Sequence, residues 1–173
     1  HGRRHRYAID DSCVFANAIP YFFDPFVYYL FAALTVHNGK TVLLDNAAAL
    51  GLLTKEDQVT RTAGVPSALA IVQVPSTVKC VEVGGEALTQ SLLDNIASGT
   101  SIINCYGPTE VTICATLRKV MHGDKRITSI GKILPNVTAY IVDPASELTA
   151  PTPSPGAYLP PWYASHSLRM LSA

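Results

Sequence analysis

Short apolar runs separated by turn-forming residues are the main pattern along the first 143 positions of this 173-residue sequence. Runs rich in Val, Ile, Leu and Cys that end at Gly, Pro, Asn or Asp are typical of buried strands. We therefore predict strands at 13–18, 40–45, 79–83, 101–105, 111–117 and 137–142.

The first predicted helix has a clear start. Asp24 is suited to the N-cap position and Pro25 to the first helical position, while Asn38-Gly39 ends the helix after about His37. We therefore predict a helix over 24–37.

Two further helices separate the later strands. One is short and follows Pro66, within 65–73. The other covers 87–98 and stops at Gly99, and its apolar stripe consists of Leu88, Leu92 and Ile96. Because strands that alternate with helices favour βαβ units, we predict an α/β fold with a mainly parallel sheet flanked by helices.

Composition divides the chain into three parts. Positions 1–9 form a basic tail, and positions 10–143 carry the α/β pattern. Positions 144–173 begin with a segment rich in Pro, Ser, Thr and Ala, which predicts a disordered tail. The basic cluster at positions 1–6 is short and terminal, so it indicates a solvated tail rather than a nucleic-acid-binding surface.

Charge, cysteine spacing and the length of the apolar runs exclude several classes of protein. Lys plus Arg and Asp plus Glu number 13 each, so the chain has no excess positive charge for nucleic acid. The four cysteines show no CxxC pair and no metal-ligand spacing, so we expect reduced, mostly buried thiols in a cytoplasmic protein. No apolar run reaches the length of a membrane span, and we expect no membrane partner.

Ligands of parallel α/β sheets bind where the strands end, and two predicted strand ends stand out. The first is Gly84-Gly85-Glu86, which opens into a helix. Its glycines would let an anion approach the backbone and the helix N–H groups, although the same pattern is common in simple tight turns.

The second strand end, 104–110 (NCYGPTE), joins an aromatic ring, a hydroxyl and a carboxylate. Tyr106 offers a face for stacking a ring, Thr109 a hydroxyl for a phosphate oxygen, and Glu110 an oxygen ligand for Mg²⁺. Each residue also has an ordinary interpretation, as core filler, turn residue or solvated charge. Together at one bend they indicate an ATP site.

Residues 104–110 resemble the N-x-Y-G-P-T-E motif of the AMP-forming adenylating enzymes. This superfamily contains nonribosomal peptide synthetase adenylation domains, acyl-CoA synthetases and luciferases. Other segments resemble its motifs in the same order: Phe23-Asp24, 65–67 (VPS), 84–88 (GGEAL), 130–136 (IGKILPN, with Ile133 where the motif has proline) and 140–143 (YIVD). The resemblance covers roughly 10–143 and implies part of the large N-terminal region of that fold.

The resemblance implies formation of an acyl-adenylate, with ATP and Mg²⁺ as ligands. Tyr106 would stack on adenine, Thr109 would hold the α-phosphate, and Glu110 would ligate Mg²⁺. Thr109 and Glu110 would be the catalytic residues, and the nucleotide-binding set would comprise Gly84, Gly85, Glu86, Asn104, Cys105, Tyr106, Gly107 and Thr109.

Asp24 separates two branches of the superfamily. By resemblance, an Asp after Phe pairs with the α-ammonium group of an amino-acid substrate, whereas the residue pattern alone makes Asp24 a helix cap. The positions that match the substrate pocket are Asp24, Pro25, Tyr28, Gly64, Glu82, Gly84, Cys105, Ile113 and Cys114.

Three of these positions carry further expectations. We expect Gly64 and Gly84 to leave room in the pocket. Glu82 is either a wall residue that pairs with a basic or polar substrate side chain, or a strand residue that reaches solvent.

The leading interpretation is a fragment of a nonribosomal peptide synthetase adenylation domain. Such a domain passes its aminoacyl group to the phosphopantetheine thiol of a peptidyl carrier domain, next to a condensation domain. The alternatives are an acyl- or aryl-CoA synthetase and a non-catalytic remnant. The sequence lacks the superfamily's phosphate-binding loop and its catalytic lysine, so we expect that this chain forms no adenylate by itself.

Overall fold

A computed structural model of the chain describes residues 13–36, 39–135, 137–141 and 168–172. The strands are Val14–Asn17 (β1), Lys40–Leu43 (β2), Arg61–Gly64 (β3), Cys80–Val83 (β4), Ser101–Tyr106 (β5), Thr116–Val120 (β6), Lys132–Ile133 (β7), Val137–Ile141 (β8) and Leu168–Ser172 (β9). The first seven form one sheet in the order β2-β1-β3-β4-β5-β6-β7, and β8 pairs with β9 in a second sheet.

Helices and 3₁₀ turns connect these strands. The α-helices are Asp24–Phe31 (α1), Pro66–Leu69 (α2) and Gln90–Asn95 (α3), and α1 continues as a π-helix over Ala32–Val36. The 3₁₀ turns are Ala47–Leu52, Lys55–Asp57 and Thr109–Val111.

The strand directions confirm the predicted α/β fold with a mainly parallel sheet. Strands β2, β1, β3, β4 and β5 run parallel, whereas β6 and β7 are antiparallel additions beside β5. The carboxyl ends of the five parallel strands therefore lie along one edge of the sheet, where ligands of such sheets bind.

The two faces of the sheet carry different layers, because alternate strand residues point to opposite faces. One face packs under α2, α3 and the 47–52 turn, and this main core includes Leu50, Leu69, Val81, Leu92 and Ile102. The other face is covered by α1 on the β1 and β3 side, in a smaller cluster that includes Phe15, Tyr29 and Ala63. The candidate site described below lies on this second face.

The predicted strand at 111–117 is wrong except for its last two residues. Val111 ends a 3₁₀ turn, and the next two residues, Thr112 and Ile113, have positive φ angles of 61° and 73°. The Cys114 N–H then donates to the Thr112 carbonyl at 2.8 Å, which closes a tight turn before β6 begins at Thr116. Alternating apolar residues thus mark a bent loop here.

The predicted helix over 87–98 is shorter in the structure. The Thr89 hydroxyl accepts a hydrogen bond from the Leu92 N–H at 3.4 Å and caps α3, and Ile96 is already extended with a ψ of 136°. The apolar stripe is nonetheless correct, because Leu88, Leu92 and Ile96 are all buried.

The sequence pattern did not reveal β3, β7 or β9. Strand β3 begins with Arg61 and Thr62, so it lacks an apolar run, and β7 has only two residues. Strand β9 lies within 144–173, where we predicted disorder, and its residues Leu168–Ser172 pair with β8. Positions 1–12, 37–38, 136, 142–167 and 173 lie outside the described residues, and with them the basic tail and the end of the first predicted helix.

Two further expectations concern cysteines and membrane spans. All four cysteines are free thiols, three of them buried and Cys105 half-buried, as predicted. Within the described part of the chain, no helix has the length and apolar character needed to cross a bilayer.

Candidate active site

The carboxyl edge of the sheet gathers the predicted site residues. Register aligns Ala63 of β3 with Glu82 of β4, and Glu82 with Ile103 of β5. The Asn17 side-chain amide at the end of β1 donates to the Phe26 carbonyl at 3.1 Å, which holds the first turn of α1 at the same edge. Residues from β3, β4, β5 and α1 therefore meet there.

The structure contradicts the helix-cap interpretation of Asp24. Phe23 is the N-cap residue, and Asp24 and Pro25 are the first two helical residues. No side-chain hydrogen bond caps α1. The Asp24 carboxylate is half-buried beside the edge of the sheet and is not used to cap the helix, so it is suited to pair with a ligand cation.

The structure also excludes a solvent-facing Glu82. This residue is only 7% exposed, and its carboxylate accepts a hydrogen bond from the Tyr29 hydroxyl at 3.1 Å. The Cys105 thiol lies 3.9 Å from the same carboxylate oxygen. Glu82 is thus buried between α1 and β5, and its role as a wall of a substrate pocket stays a prediction.

Tyr29 was not among the predicted site residues. Its ring stacks on Phe15 with a centroid separation of 4.5 Å and meets Tyr28 edge-on at 5.0 Å. The pair Tyr28-Tyr29 carries no signal that tells which tyrosine reaches Glu82, because that contact spans 53 positions of sequence.

Arg61 is the second site residue that the sequence pattern did not reveal. It lies at the start of β3, only 7% exposed, with Cys80 as its register partner on β4. Burial alone lowers the pKa of Arg61, but Cys80, Glu82 and Cys13 favour its charged form, and the net result is a raised pKa. Burial also raises the pKa of the Cys80 thiol, more than Arg61 lowers it. At neutral pH the site therefore holds a guanidinium ion beside a neutral thiol.

The packing beside Gly64 and Gly84 differs from the expectation that both glycines leave room in the pocket. A Cβ on Gly64 would lie 3.2 Å from Leu69 Cγ, and one on Gly84 would lie 2.8 Å from the Cys105 carbonyl oxygen. Protein atoms already fill the space beside both residues. Gly85 has a φ of +82°, a conformation that favours glycine, so it serves the turn after β4.

Glu86 links the 84–88 segment to the 65–67 segment. Its carboxylate accepts hydrogen bonds from the Ser67 N–H at 3.0 Å and from the Ser67 hydroxyl at 2.9 Å. Ser67 is in the first turn of α2, whose N-cap residue Val65 provides no side-chain bond. Glu86 therefore fastens the turn after β4 to the start of α2.

Replacing Glu86 by Ala is expected to lower the free energy of unfolding by about 1 kcal/mol, because two charge-assisted hydrogen bonds are lost at an exposed position. Urea unfolding of the purified protein measures this. The matched control is Glu56→Ala, since Glu56 is also exposed and only its backbone takes part in the 55–57 turn. An equal effect of both substitutions would contradict the bridging role of Glu86.

The bend after β5 is held by backbone contacts. The Tyr106 carbonyl accepts from the Ala115 N–H at 2.8 Å, and a Cβ on Gly107 would lie 2.6 Å from the same nitrogen. Asn104 is buried and donates to the Ser129 carbonyl at 3.2 Å, so its side chain serves packing. The bend leaves the ring of Tyr106 half-buried at the strand end.

Thr109 and Glu110 are exposed on the 3₁₀ turn that follows this bend. Within the described residues, no cluster of three or more His, Cys, Asp or Glu side chains could hold a metal ion. A single accessible carboxylate nonetheless fits Mg²⁺, which takes most of its ligands from water and substrate phosphates. The exposed Glu110 carboxylate has the oxygen-donor chemistry that this ion requires.

Ile113 and Cys114 line the return of the chain towards β6. Ile113 is half-buried, and its positive φ is unfavourable for a β-branched residue. Cys114 is buried, and its thiol donates to the Thr116 carbonyl at 2.9 Å. Cys114 belongs to the apolar cluster of Cys80, Ile103 and Leu117, with Cys105 and Ile113 packed against it.

Comparison with known proteins shows the family to which the chain belongs. The model of the family described as "AMP-binding enzyme" matches residues 2–157. The chain belongs to this family. It is 34% identical over 154 residues to Nonribosomal peptide synthetase 7 of Aspergillus fumigatus, a match that covers 85% of the chain and 6% of that protein. It is 35% identical over 156 residues to Tyrocidine synthase 3 of Brevibacillus parabrevis, covering 82% of the chain and 2% of the relative.

Solved structures of the family have the same fold. O-succinylbenzoate Coenzyme A synthetase from Bacillus subtilis, in complex with ATP and magnesium ion, matches with a TM-score of 0.73 and 18% identity, over 87% of this chain and 33% of that one. A nonribosomal peptide synthetase protein containing adenylation and PCP domains matches with a TM-score of 0.69 and 21% identity, over 84% and 28%. The fold is that of the N-terminal domain of adenylate-forming enzymes, and the chain spans about a third or less of each of these relatives.

Proposed function

We propose that the chain is part of an amino-acid-adenylating domain of a nonribosomal peptide synthetase. Such a domain joins the carboxylate of an amino acid to the α-phosphate of ATP and releases pyrophosphate. The observation that carries the proposal is Asp24, a half-buried carboxylate at the ligand-binding edge that does not cap its helix. An α-ammonium group is a cation that this carboxylate can pair with, and the family resemblance of Phe23-Asp24 favours that ligand.

The bend after β5 provides the nucleotide side of the proposed site. Tyr106 would stack on the adenine ring, and the Thr109 hydroxyl would donate to an α-phosphate oxygen. Glu110 would hold Mg²⁺, which when bound offsets negative charge on the phosphate oxygens. The exposure of Thr109 and Glu110 supports these roles, since neither side chain is buried in the fold.

The second candidate function is an acyl- or aryl-CoA synthetase. The fold similarity to O-succinylbenzoate Coenzyme A synthetase is compatible with it, but at 18% identity that similarity concerns the fold alone. The relatives above 30% identity that cover most of the chain include Nonribosomal peptide synthetase 7 and Tyrocidine synthase 3. They favour the first candidate, in which a peptidyl carrier domain takes the aminoacyl group on its phosphopantetheine thiol, next to a condensation domain.

The test is ATP–pyrophosphate exchange by the complete parent enzyme with a panel of amino acids and free carboxylic acids. We expect exchange with one or a few amino acids. Exchange with carboxylic acids that lack an α-amine would favour the CoA synthetase, and exchange with no acid would indicate a non-catalytic remnant.

The same assay applied to residues 1–173 alone is expected to show no exchange. The sequence contains neither a phosphate-binding loop nor the catalytic lysine of the superfamily, so the transition-state charge would be left without most of its donors. Robust exchange by this chain would contradict the roles assigned to those two missing segments.

A further inference from the structure

Two buried groups of opposite charge lie on successive layers of the sheet beneath α1. Arg61 pairs in register with Cys80, and Ala63 pairs with Glu82, so Arg61 and Glu82 lie on the same face. Glu82 is nearer the carboxyl edge, and Arg61 lies one pair of residues deeper. Arg61 is therefore the deeper of the two charged groups below the carboxyl edge.

Arg61 has unused hydrogen-bonding capacity. Its Nε and Nη1 atoms are buried and make no hydrogen bond to any residue in the described part of the chain. A guanidinium group carries five N–H donors, and a buried donor without a partner is costly. A hydrogen-bond acceptor beside Nε and Nη1 of Arg61 would therefore be favourable.

A cavity of about 20 Å³ adjoins both charged groups. Tyr28 and Tyr29 of α1 close it on one side, while Phe15, Arg61 and Glu82 line it from the sheet. This volume holds one group of about the size of a water molecule. A terminal oxygen or nitrogen of a ligand side chain fits it, but a ring does not.

We propose that Arg61 and Glu82 form a dipolar subsite at the floor of the substrate pocket, which selects side chains that end in a neutral carboxamide or ureido group. The acceptor oxygen of such a group would be the one atom that enters the cavity and would bind Arg61, while its N–H would stay outside the cavity and bind Glu82. The proposal rests on the amino-acid-adenylating function and adds Arg61 to the residues that determine its substrate.

Other classes of side chain satisfy one of the two charged groups or neither of them. A cationic side chain would pair with Glu82 but be repelled by Arg61. An anionic side chain would pair with Arg61 but be repelled by Glu82. An apolar side chain would leave the Nε and Nη1 atoms of Arg61 without an acceptor. Sites built to hydrogen-bond a substrate reject analogues that leave their buried polar groups unpaired, by about 10⁴-fold where the discrimination is strongest.

The experiment measures kcat/KM for pyrophosphate exchange by the complete enzyme with glutamine, asparagine, citrulline, lysine, glutamate and leucine. The wild type should prefer a carboxamide or ureido substrate at least about 10-fold over the cationic, anionic and apolar ones. Arg61→Met should lower that substrate's kcat/KM by about 10- to 100-fold and shift the preference towards lysine, because Glu82 then acts alone. Glu82→Gln should shift it towards glutamate.

Arg126→Met is the matched control, because Arg126 is exposed and lies on the loop between β6 and β7. It should leave all ratios unchanged. Thermal unfolding distinguishes loss of fold from loss of selectivity, and Arg61→Lys, which keeps the charge but not the planar fork, should retain the fold with reduced preference.

Two further results would overturn the inference. A wild-type preference for apolar or cationic substrates, or an equal loss for all substrates in folded Arg61→Met and Arg61→Lys, would overturn the inference while leaving amino-acid adenylation intact. Exchange only with acids that lack an amine, or with none, would overturn the proposed function and this inference with it.

Discussion

Asp24→Ala in the complete enzyme is expected to lower kcat/KM for amino-acid-dependent pyrophosphate exchange by about 100-fold or more. Removing one partner of a buried, hydrogen-bonded charge pair costs about 2–5 kcal/mol, and the substrate ammonium group would be left unpaired. The loss should be in kcat/KM and should be similar for every amino acid that the enzyme accepts.

The same substitution should change stability little. Since Phe23 is the N-cap residue and no side chain caps α1, Asp24 contributes only through the helix dipole, worth about 0.3–1 kcal/mol. Asp94→Ala, on α3, is the control and should not affect exchange. Full exchange activity in Asp24→Ala would contradict the substrate role, and a large loss of stability would restore the helix-cap interpretation.

Glu110→Gln is expected to lower kcat by about 10²- to 10³-fold, comparable to the loss of one preorganised group that stabilises transition-state charge. The amide is a weaker ligand for Mg²⁺ than the carboxylate, so the variant should also need more Mg²⁺ for half-maximal exchange. Exchange rates across a Mg²⁺ titration measure both effects.

Stability again separates function from structure at this position. Glu110 is exposed on the 109–111 turn, so Glu110→Gln should unfold at the same urea concentration as the wild type. Glu56→Gln, on the 55–57 turn, is the control for an exposed glutamate. An unchanged Mg²⁺ dependence with normal kcat would remove Glu110 from the metal-binding role.

The alternation of strands and helices was readable from sequence because each signal is local. Apolar runs that end at Gly, Pro, Asn or Asp identify β1, β2, β4 and β5, and these runs imply the parallel sheet. Strand β3 was not predicted, because the charged Arg61 at its start interrupts the apolar run. The loop at 112–115 has the alternation of a strand, and only its backbone angles show that it is bent.

In the candidate site, too, features formed by neighbouring residues were readable from the sequence, whereas contacts between distant residues were not. The bend at 104–110 is contiguous in sequence, so its ring, hydroxyl and carboxylate could be recognised together. The contact between Tyr29 and Glu82 joins residues 53 positions apart, and that between Ser67 and Glu86 joins residues 19 apart. Such pairs depend on how the elements pack, so sequence patterns could not identify the partner of Glu82 or the structural role of Glu86.

The packing also explains why the glycines were misinterpreted. Gly64 and Gly84 look like open space in a sequence, since they have no side chain. In the structure the Leu69 side chain and the Cys105 carbonyl lie in that space. A larger residue at Gly84 would displace the strand, whereas at Gly64 the Leu69 side chain would have to shift by a few tenths of an ångström. A cavity of about 20 Å³ lies under α1, beside Arg61 and Glu82.

The most direct test of amino-acid adenylation compares the preferred amino acid with the same acid lacking its α-amino group, in pyrophosphate exchange by the complete enzyme. The two substrates differ only in the group that Asp24 is proposed to bind. We predict kcat/KM at least about 100-fold higher for the amino acid, with the difference abolished in Asp24→Ala. Equal values for the two acids in the wild type would contradict amino-acid adenylation.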